Sequence, residues 1–345
     1  GNAVLEAPPA DDQKKVAIIG SGPAGQIAAF DLVMQGCRVT VYEREQDLGG
    51  APRNFIPLYR LPDETVDRDI DDLKKLGVEF KTGVEFGTDI SLEDLKKEGF
   101  KAILIAVGLT ASRGLPISGA DHEDVLLALD FLRDSKRKGS RLDGREVIVI
   151  GGGNVAMDVA RSAVRCGAAK VRLACLESDE EMPAFSWEIE EAKEEGVEFN
   201  CSWGPNAIEI ENGKITGLEV KECSAVFDAE GRFNPSFNES NKKTIPGNTV
   251  IFAIGQASDL EAVEKAGLPV DKGRLTFDPA TMQTPVEGVF ACGEIAAGPS
   301  TAVKAMAHAR VAAMAIDNYL EGKSFLSSMV EEEQPLPELA ADAAE

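Results

Sequence analysis

The sequence has little on which metal or thiol chemistry could rest. Its 345 residues include two histidines and six cysteines, and no two cysteines form a C-x-x-C pair. That rules out an adjacent dithiol, and no zinc or iron–sulfur ligand set can be assembled from such spacing. Positive charge is also scarce, with 36 Lys and Arg against 59 Asp and Glu and a formal net charge of −23. Without a basic stripe to neutralise phosphates, nucleic acid is excluded as a partner. An anionic membrane surface is excluded on the same ground. No apolar run reaches the roughly 20 residues that cross a bilayer, and no charged-then-apolar leader opens the chain. Cys37, Cys166, Cys175 and Cys292 lie in apolar settings and read as small buried hydrophobes. A reducing cytoplasm is the expected compartment.

What is present is glycine and small aliphatic residues. There are 33 glycines, a 43% hydrophobic fraction and only 6% aromatics, a composition suited to buried parallel strands under close-packed helices. The length points to two domains. Residues 1–14 read as a polar tail, and the stretch after Ser324 as an acidic, disordered one. Lys15–Gly20 (KVAIIG) is a short apolar run ending in glycine, expected as a buried strand, with a helix over Ala24–Gln35 and a second strand at Arg38–Glu43. Leu48–Leu61 reads as an ordered loop and Thr65–Leu76 as an amphipathic helix. Lys101–Gly108 (KAILIAVG) is another buried strand, echoed by Thr249–Gly255 (TVIFAIG). Glu146–Ile150 and Val171–Glu177 repeat the opening pair of strands. Asn212-Gly213 marks a hairpin within Ile208–Val220. Residues 223–248 read as irregular. Val289–Gly293 is the last strand and Thr301–Leu320 a long Ala-rich helix.

Two glycine fingerprints stand about 130 residues apart, each after a strand and before a helix. The first is Gly20-Ser-Gly22-Pro23-Ala24-Gly25, with Glu43 at the end of the next strand. Gly20 permits the tight turn, Gly22 lets the backbone approach a pyrophosphate, and Gly25 allows close helix–strand packing. The helix N-terminus then offers free N–H groups to the phosphates, and Glu43 would accept hydrogen bonds from ribose hydroxyls. The second is Gly151-Gly-Gly153-Asn154-Val155-Ala156, with Glu177 as its acid. A carboxylate there favours a ribose 2′-OH over a 2′-phosphate, and residues 173–187 hold no Arg or Lys. NAD(H) is therefore expected over NADP(H). The alternative has Glu177 facing solvent while Arg161 or Arg165 folds over the phosphate. Two such sites imply one resident flavin and one exchanging nicotinamide, with hydride passing between stacked rings.

The sequence resembles the glutamate synthase small subunit and its relatives among the flavin reductases with two dinucleotide-binding domains. The likeness runs from Lys15 to Leu320. It is carried by GSGPAG, GGAPRNFIPLYRLP at 49–62, AVG at 106–108, GGGNVAMDVARSAVRCGA at 151–168, MPA at 182–184, AIGQ at 253–256 and VFACGE at 289–294. The resemblance implies an α/β fold of two Rossmann-like domains, the NAD(P) domain inserted in the FAD domain. Residues 15–112 and 249–324 would form the FAD domain and 113–248 the NAD(P) domain, between the tails 1–14 and 325–345. It implies that Gly20, Gly22, Pro23, Ala24, Gly25, Glu43 and Arg44 hold the adenosine and pyrophosphate of FAD. Gly50 and Leu61 would lie along the flavin, Val84 near the adenine, Gly108 at a strand end beside FAD, and Gly293 and Glu294 at the ribityl-pyrophosphate. Gly151, Gly153, Asn154, Val155, Ala156 and Glu177 would hold NAD, with Gly255 and Gln256 near its nicotinamide half.

This chain departs from the family pattern at Glu294, where Asp is commoner. It also departs at Leu176-Glu177, where a basic pair is usual, and in lacking a cysteine-rich segment before the first strand. Hydride transfer to flavin needs proximity more than an acid or base, so no catalytic residue is assigned. The helix start at Ser300, Thr301 and Ala302, with Ser300 as N-cap, is a candidate to stabilise negative charge on reduced flavin. His308 reads as a packed histidine rather than a proton relay, and His122 has no visible partner. Electrons must then leave the flavin. The expectation is a subunit of a larger redox complex that serves an iron–sulfur partner. The alternative is a self-contained NADH:acceptor reductase of a small molecule.

Overall fold

The computed structural model describes residues 6–324; the acidic tail from 325 lies outside them. The described chain forms two compact units. The first comprises residues up to Gly50, then Val66–Leu109 and from Ser258 onward; the second comprises Ala51–Thr65 and Thr110–Ala257. The stretches 51–65, 110–112 and 249–257, expected with the first unit, thus belong to the second, where Thr249–Phe252 pairs with Glu146–Ile150. Arg60 forks onto both carboxylate oxygens of Asp158 (2.8 and 2.7 Å) and reaches Glu188 (2.6 Å). The Lys136 ammonium binds the carbonyls of Pro52 and Ile56 (2.9 Å each). These ties fasten the loop to the second unit's helices, and sequence spacing could not foresee them.

The first unit is built on a five-stranded parallel sheet. Its order is Val289–Ala291, Ala102–Ile105, Asp11–Ile19, Cys37–Glu43, Glu79–Thr82. The first strand begins at Asp11 rather than Lys15, because Asp11 pairs with Cys37 before a register break at Lys15. The helix Pro23–Met34 and the C-terminal helix Ala302–Leu320 cover one face. Ala28, Ala29, Ala309, Ala312 and Ala313 are buried there, small enough to let the backbones approach. The other face packs Phe86, Leu95, Phe100, Leu268 and Ile295.

The second unit repeats the plan. Its parallel sheet runs Val125–Leu127, Thr249–Phe252, Glu146–Ile150, Lys170–Ala174, Glu198–Asn200, and the helix Asn154–Arg165 packs on it. A three-stranded antiparallel sheet of Trp203–Glu211, Lys214–Phe227 and Phe233–Pro246 covers the opposite face through Ile208, Ile215, Leu218, Val220 and Ile245. The hairpin turns at Asn212 and Gly213, both at positive φ (51° and 72°), as a twist-matched two-residue turn requires. Residues 223–248, expected as irregular, supply the rest of this sheet. The strand Phe233–Pro246 exposes nearly every side chain and buries only Ile245, so it shows no apolar alternation. Pairing with its neighbour makes it a strand. The loop expected at 48–61 contains a short helix, Gly50–Asn54.

Candidate functional site: two glycine turns

The two turns share the same backbone wiring. Gly20 N–H donates to Tyr42 O (2.8 Å) and Gly151 N–H to Ala174 O (2.9 Å), each turn leaning on the next strand. Ala106 N–H donates to Ile19 O and Ala253 N–H to Ile150 O, both at 2.8 Å. The repeated AVG and AIG motifs are therefore the neighbouring strand ends that wall each turn. A Cβ on Gly20, at φ +106°, would lie 2.6 Å from the Ala106 carbonyl oxygen. One on Gly151, at φ +139°, would collide with the Ala253 carbonyl oxygen in the same way. Both places demand glycine. A Cβ on Gly25 would strike the Gly20 carbonyl oxygen, so helix and strand touch there. In the second turn Ala156, with no exposed surface, takes the equivalent place.

Each turn opens a 12-residue helix whose N-cap is a glycine, Gly22 or Gly153, with no side-chain cap. No side chain caps the first N–H groups of either helix, which leaves helix starts of the kind that bind anions, although in the second Ala156 N–H already donates to Gly153 O (2.9 Å). Pro23 stands at the first helical position, where its missing N–H costs nothing. Ala24 is buried behind it.

The first turn is tightly organised. Glu43 is buried, and its carboxylate accepts from Ser21 N–H (3.0 Å), Ser21 Oγ (2.6 Å) and Glu45 N–H (3.0 Å). Ser21 Oγ in turn accepts from Gly49 N–H (2.9 Å). Ser21 is wholly buried, and it went unnoticed as an unspecified position of the fingerprint. It ties the acid to the Gly49-Gly50 bend, where a Cβ on Gly50 (φ +59°) would come 2.6 Å from Gly22 Cα. Val84 N–H donates to Glu43 O (3.0 Å), which sets Val84 beside the acid. Arg44 turns to Asp259 (3.0 Å). Gly108, at φ +67°, ends the neighbouring strand region with open space on its Cβ side. Leu61 falls in the second unit, its N–H bonded to Pro57 O (3.0 Å).

The last strand brings Gly293 to the same turn. A Cβ there would sit 3.2 Å from Ala24 Cβ. Gly293 N–H donates to His308 Nδ1 (3.0 Å), which gives His308 a positioning role and requires a neutral ring. Burial lowers its pKa in keeping with that. The longer side chain of Glu294 reaches round to accept from Ser300 N–H (2.9 Å), and burial raises its pKa. The N-cap of the C-terminal helix is Thr301, whose hydroxyl accepts from Lys304 N–H (3.3 Å), and not Ser300; Ala302 is the first helical residue.

In the second turn Asn154 Oδ1 accepts from Phe185 N–H (2.9 Å), and Ala184 N–H donates to Gly152 O (3.2 Å). The MPA motif thus docks on the glycine turn. Val155 packs half-buried on the core. Glu177 folds over the turn, and a Cβ on Gly152 would lie 2.8 Å from its Oε2. Arg161 is committed to Glu191 and Glu195, and Arg165 to Glu195. Gly255 (φ +113°) accepts from Arg113 N–H (3.0 Å), and Gln256 pairs with Ser112. Among the described residues no cluster of His, Cys, Asp or Glu is arranged to hold a metal. None of the described helices is long and apolar enough to cross a membrane.

Residues 14–309 match the family model described as pyridine nucleotide-disulphide oxidoreductase. The chain is 39% identical over 324 residues to the NADP(+)-dependent formate dehydrogenase subunit beta of Moorella thermoacetica, covering 93% of this chain and 46% of that protein. It is 34% identical to the glutamate synthase [NADPH] small chain of Escherichia coli K12, covering 89% and 69%. The chain spans about half or less of the length of the first of these relatives. Mycobacterium tuberculosis FprA in complex with NADPH shares the fold, with a TM-score of 0.77 at 18% identity over 96% of this chain and 88% of that one.

These findings correct the expected preference for NAD(H) over NADP(H), because the relatives are named for NADP(+) and NADPH and the FprA structure is a complex with NADPH. The expectation rested on Glu177 and on a sequence window without Lys or Arg. Folding brings Lys193 to Asp179 (2.9 Å) and Lys243 to Asn200 (2.9 Å) at the same end of the sheet, from outside that window. With two Rossmann-like sheets, two intact glycine turns and a family match over most of its length, the chain belongs to the pyridine nucleotide-disulphide oxidoreductase family.

Proposed function

We propose that the first turn holds FAD as a resident group and the second binds a nicotinamide dinucleotide that comes and goes. The chain then works as an NAD(P)H:acceptor reductase of a small molecule. The duplicated wiring carries this reading: two cradles, each walled by a neighbouring strand end and each opening an uncapped helix. FAD supplies the chemistry of accepting a hydride from the nicotinamide and releasing electrons to an acceptor. The chain's own residues bind and orient. Gly22, Gly25 and the first N–H groups of helix Pro23–Met34 meet the pyrophosphate, and Glu43 meets the ribose hydroxyls through its remaining lone pairs. Gly50, Val84, Gly108, Gly293 and the segment from Glu294 to Ala302 line the rest. Gly151, Gly153, Asn154, Val155 and Glu177 receive the second dinucleotide, with Gly255 and Gln256 towards its nicotinamide end.

The test is anaerobic titration of the purified yellow protein with NADPH and with NADH, followed by turnover with ferricyanide. Bleaching of the flavin and steady dye reduction are expected. A protein that retains no flavin, or whose flavin resists both nucleotides, would refute the reading.

A second reading is a glutamate-synthase-small-subunit-like electron carrier that serves an iron–sulfur partner in a larger complex. It is favoured by the names of the relatives, which are subunits or chains, and by the share of their length that this chain spans. Size-exclusion of native extract separates the two readings: a flavoprotein that runs alone and reduces a small substrate unaided sinks the second.

A further inference from the structure

Cys175 and Cys201 are far apart in sequence and adjacent in the fold. Ala174 and Asn200 are register partners on the paired strands Lys170–Ala174 and Glu198–Asn200, and the two cysteines follow them directly. Cys175 N–H donates to Asn200 O (3.2 Å) and Trp203 N–H to Cys175 O (2.9 Å), so the backbone brackets the pair side by side. Register partners on paired strands lie about 5 Å apart and face the same way, within the span a disulfide bridges. The two thiols are hydrogen-bonding neighbours. Cys175 is buried, while Cys201 is half-buried and reachable.

The pair touches the second glycine turn. A Cβ on Gly152 would lie 3.2 Å from Cys175 Cβ and 2.8 Å from Glu177 Oε2. The Cys175 thiol also donates to the Glu177 carbonyl (3.5 Å). Cys175 therefore forms the floor of the turn and helps to place the acid that overhangs it.

We propose that Cys175 and Cys201 form a reversible disulfide that weakens dinucleotide binding at the second turn. The reactive member is Cys201. The Cys175 thiol beside it lowers its pKa, and Lys193 adds to that effect against burial and Asp179. The oxidant is a small-molecule disulfide. The Cys201 thiolate attacks one of its sulfurs, that S–S bond breaks, and one thiolate leaves. Cys175 gives up its proton and attacks Cys201 Sγ, expelling the second thiolate. Two cysteine thiols are oxidised to a cystine, and the small disulfide is reduced to two thiols that carry the two protons. The Cys175 S–H is then gone, its bond to the Glu177 carbonyl ends, and Glu177 relaxes away from Gly152. That consequence rests on the second turn being the nicotinamide site; the disulfide itself does not.

The test treats the flavin-loaded full chain with oxidised glutathione and maps its peptides without reduction. A Cys175–Cys201 cross-linked peptide is expected, absent from Cys201→Ser. The KM for NADH, whose ribose 2′-OH Glu177 would accept from, should rise roughly tenfold with ferricyanide as acceptor, the size of one lost charge-assisted hydrogen bond, and return with dithiothreitol. Cys201→Ser should keep its KM under the same oxidant. No cross-link, a cross-link to Cys223 instead, or a cross-linked chain with unchanged KM would overturn the proposal. A reduced chain that never oxidises NADPH would count against the proposed function, and the peptide map would still decide the disulfide.

Discussion

Replacing Gly20 by alanine tests the claim that the first turn is a built cofactor cradle. The added Cβ would lie 2.6 Å from Ala106 O, 3.0 Å from Ala106 C and 3.2 Å from Val107 Cα, all backbone atoms that no rotamer change can clear. The residue would also keep φ near +106°, which L side chains rarely adopt. The strained dihedral costs about 1–3 kcal/mol, and the overpacking about 1–3 kcal/mol more. Together these give roughly 2–6 kcal/mol, a fall in Tm on the order of 10 °C. Relieving the clash means moving the turn, and with it the helix N-terminus aimed at the pyrophosphate. Gly77→Ala is the matched control: its φ is +96° and nothing lies within 4 Å of its Cβ, so it carries only the dihedral cost. Flavin content is read as visible absorbance against protein absorbance, stability by thermal melt, and affinity by titrating the deflavinated chain with FAD. Gly20→Ala should lose most of its flavin and bind FAD at least about tenfold more weakly, while Gly77→Ala stays yellow. Equal flavin content and equal Tm in the two variants would refute the reasoning.

Ser21→Ala removes the hydroxyl that links Glu43 to Gly49. A loss of about 1–2 kcal/mol in FAD binding is expected by titration, with the melt little changed where flavin is saturating. Asn154→Ala frees the Phe185 N–H and loosens the loop docked on the second turn; the KM for the nicotinamide nucleotide should rise about tenfold in steady-state assays while flavin content holds. His308 gives a pH dependence. Its folded pKa lies below the ordinary 6.5 because of burial, and only the neutral ring accepts from Gly293 N–H. Its contribution is therefore full above 6.5 and is lost as pH falls through the folded value. Glu294, raised by burial, carries the opposite sign, so the comparison must be with His308→Gln. The wild-type Tm should fall more steeply than the variant's on acidification, and parallel curves would refute the assignment.

The sheets were legible because their strands are buried on both faces and read as short continuous apolar runs ending in glycine. KAILIAVG and TVIFAIG announced by their likeness what the structure shows, that each walls a glycine turn. The strand Phe233–Pro246 was not legible, since a strand that buries only Ile245 carries no pattern of its own and exists through its partner's backbone. The tie of residues 51–65 to the second unit depends on Arg60 meeting Asp158 and Glu188, contacts no periodicity encodes. Ser21, His308 and the Cys175–Cys201 neighbourhood share that character. Each is an ordinary residue given its role by a partner distant in sequence. The choice between nicotinamide forms failed because it rested on one acid and a local sequence window, whereas the relatives are named for NADP(+) and NADPH.

The two turns differ where the proposed division of labour requires them to. At the first, the acid is buried and fixed by three donors, its serine is bonded to the next bend, and Gly50 closes on Gly22. At the second, Glu177 is half-exposed and overhangs Gly152, and no described residue donates to its carboxylate. Pre-organised polar groups lower the ordering cost of binding and lengthen residence. A cradle locked before its ligand arrives suits a group that stays through many turnovers. An acid free to swing suits a dinucleotide that must leave after each one. On this argument, the same fingerprint on the same fold serves a resident and a visitor because of the second layer of contacts, which in the first turn runs through Ser21.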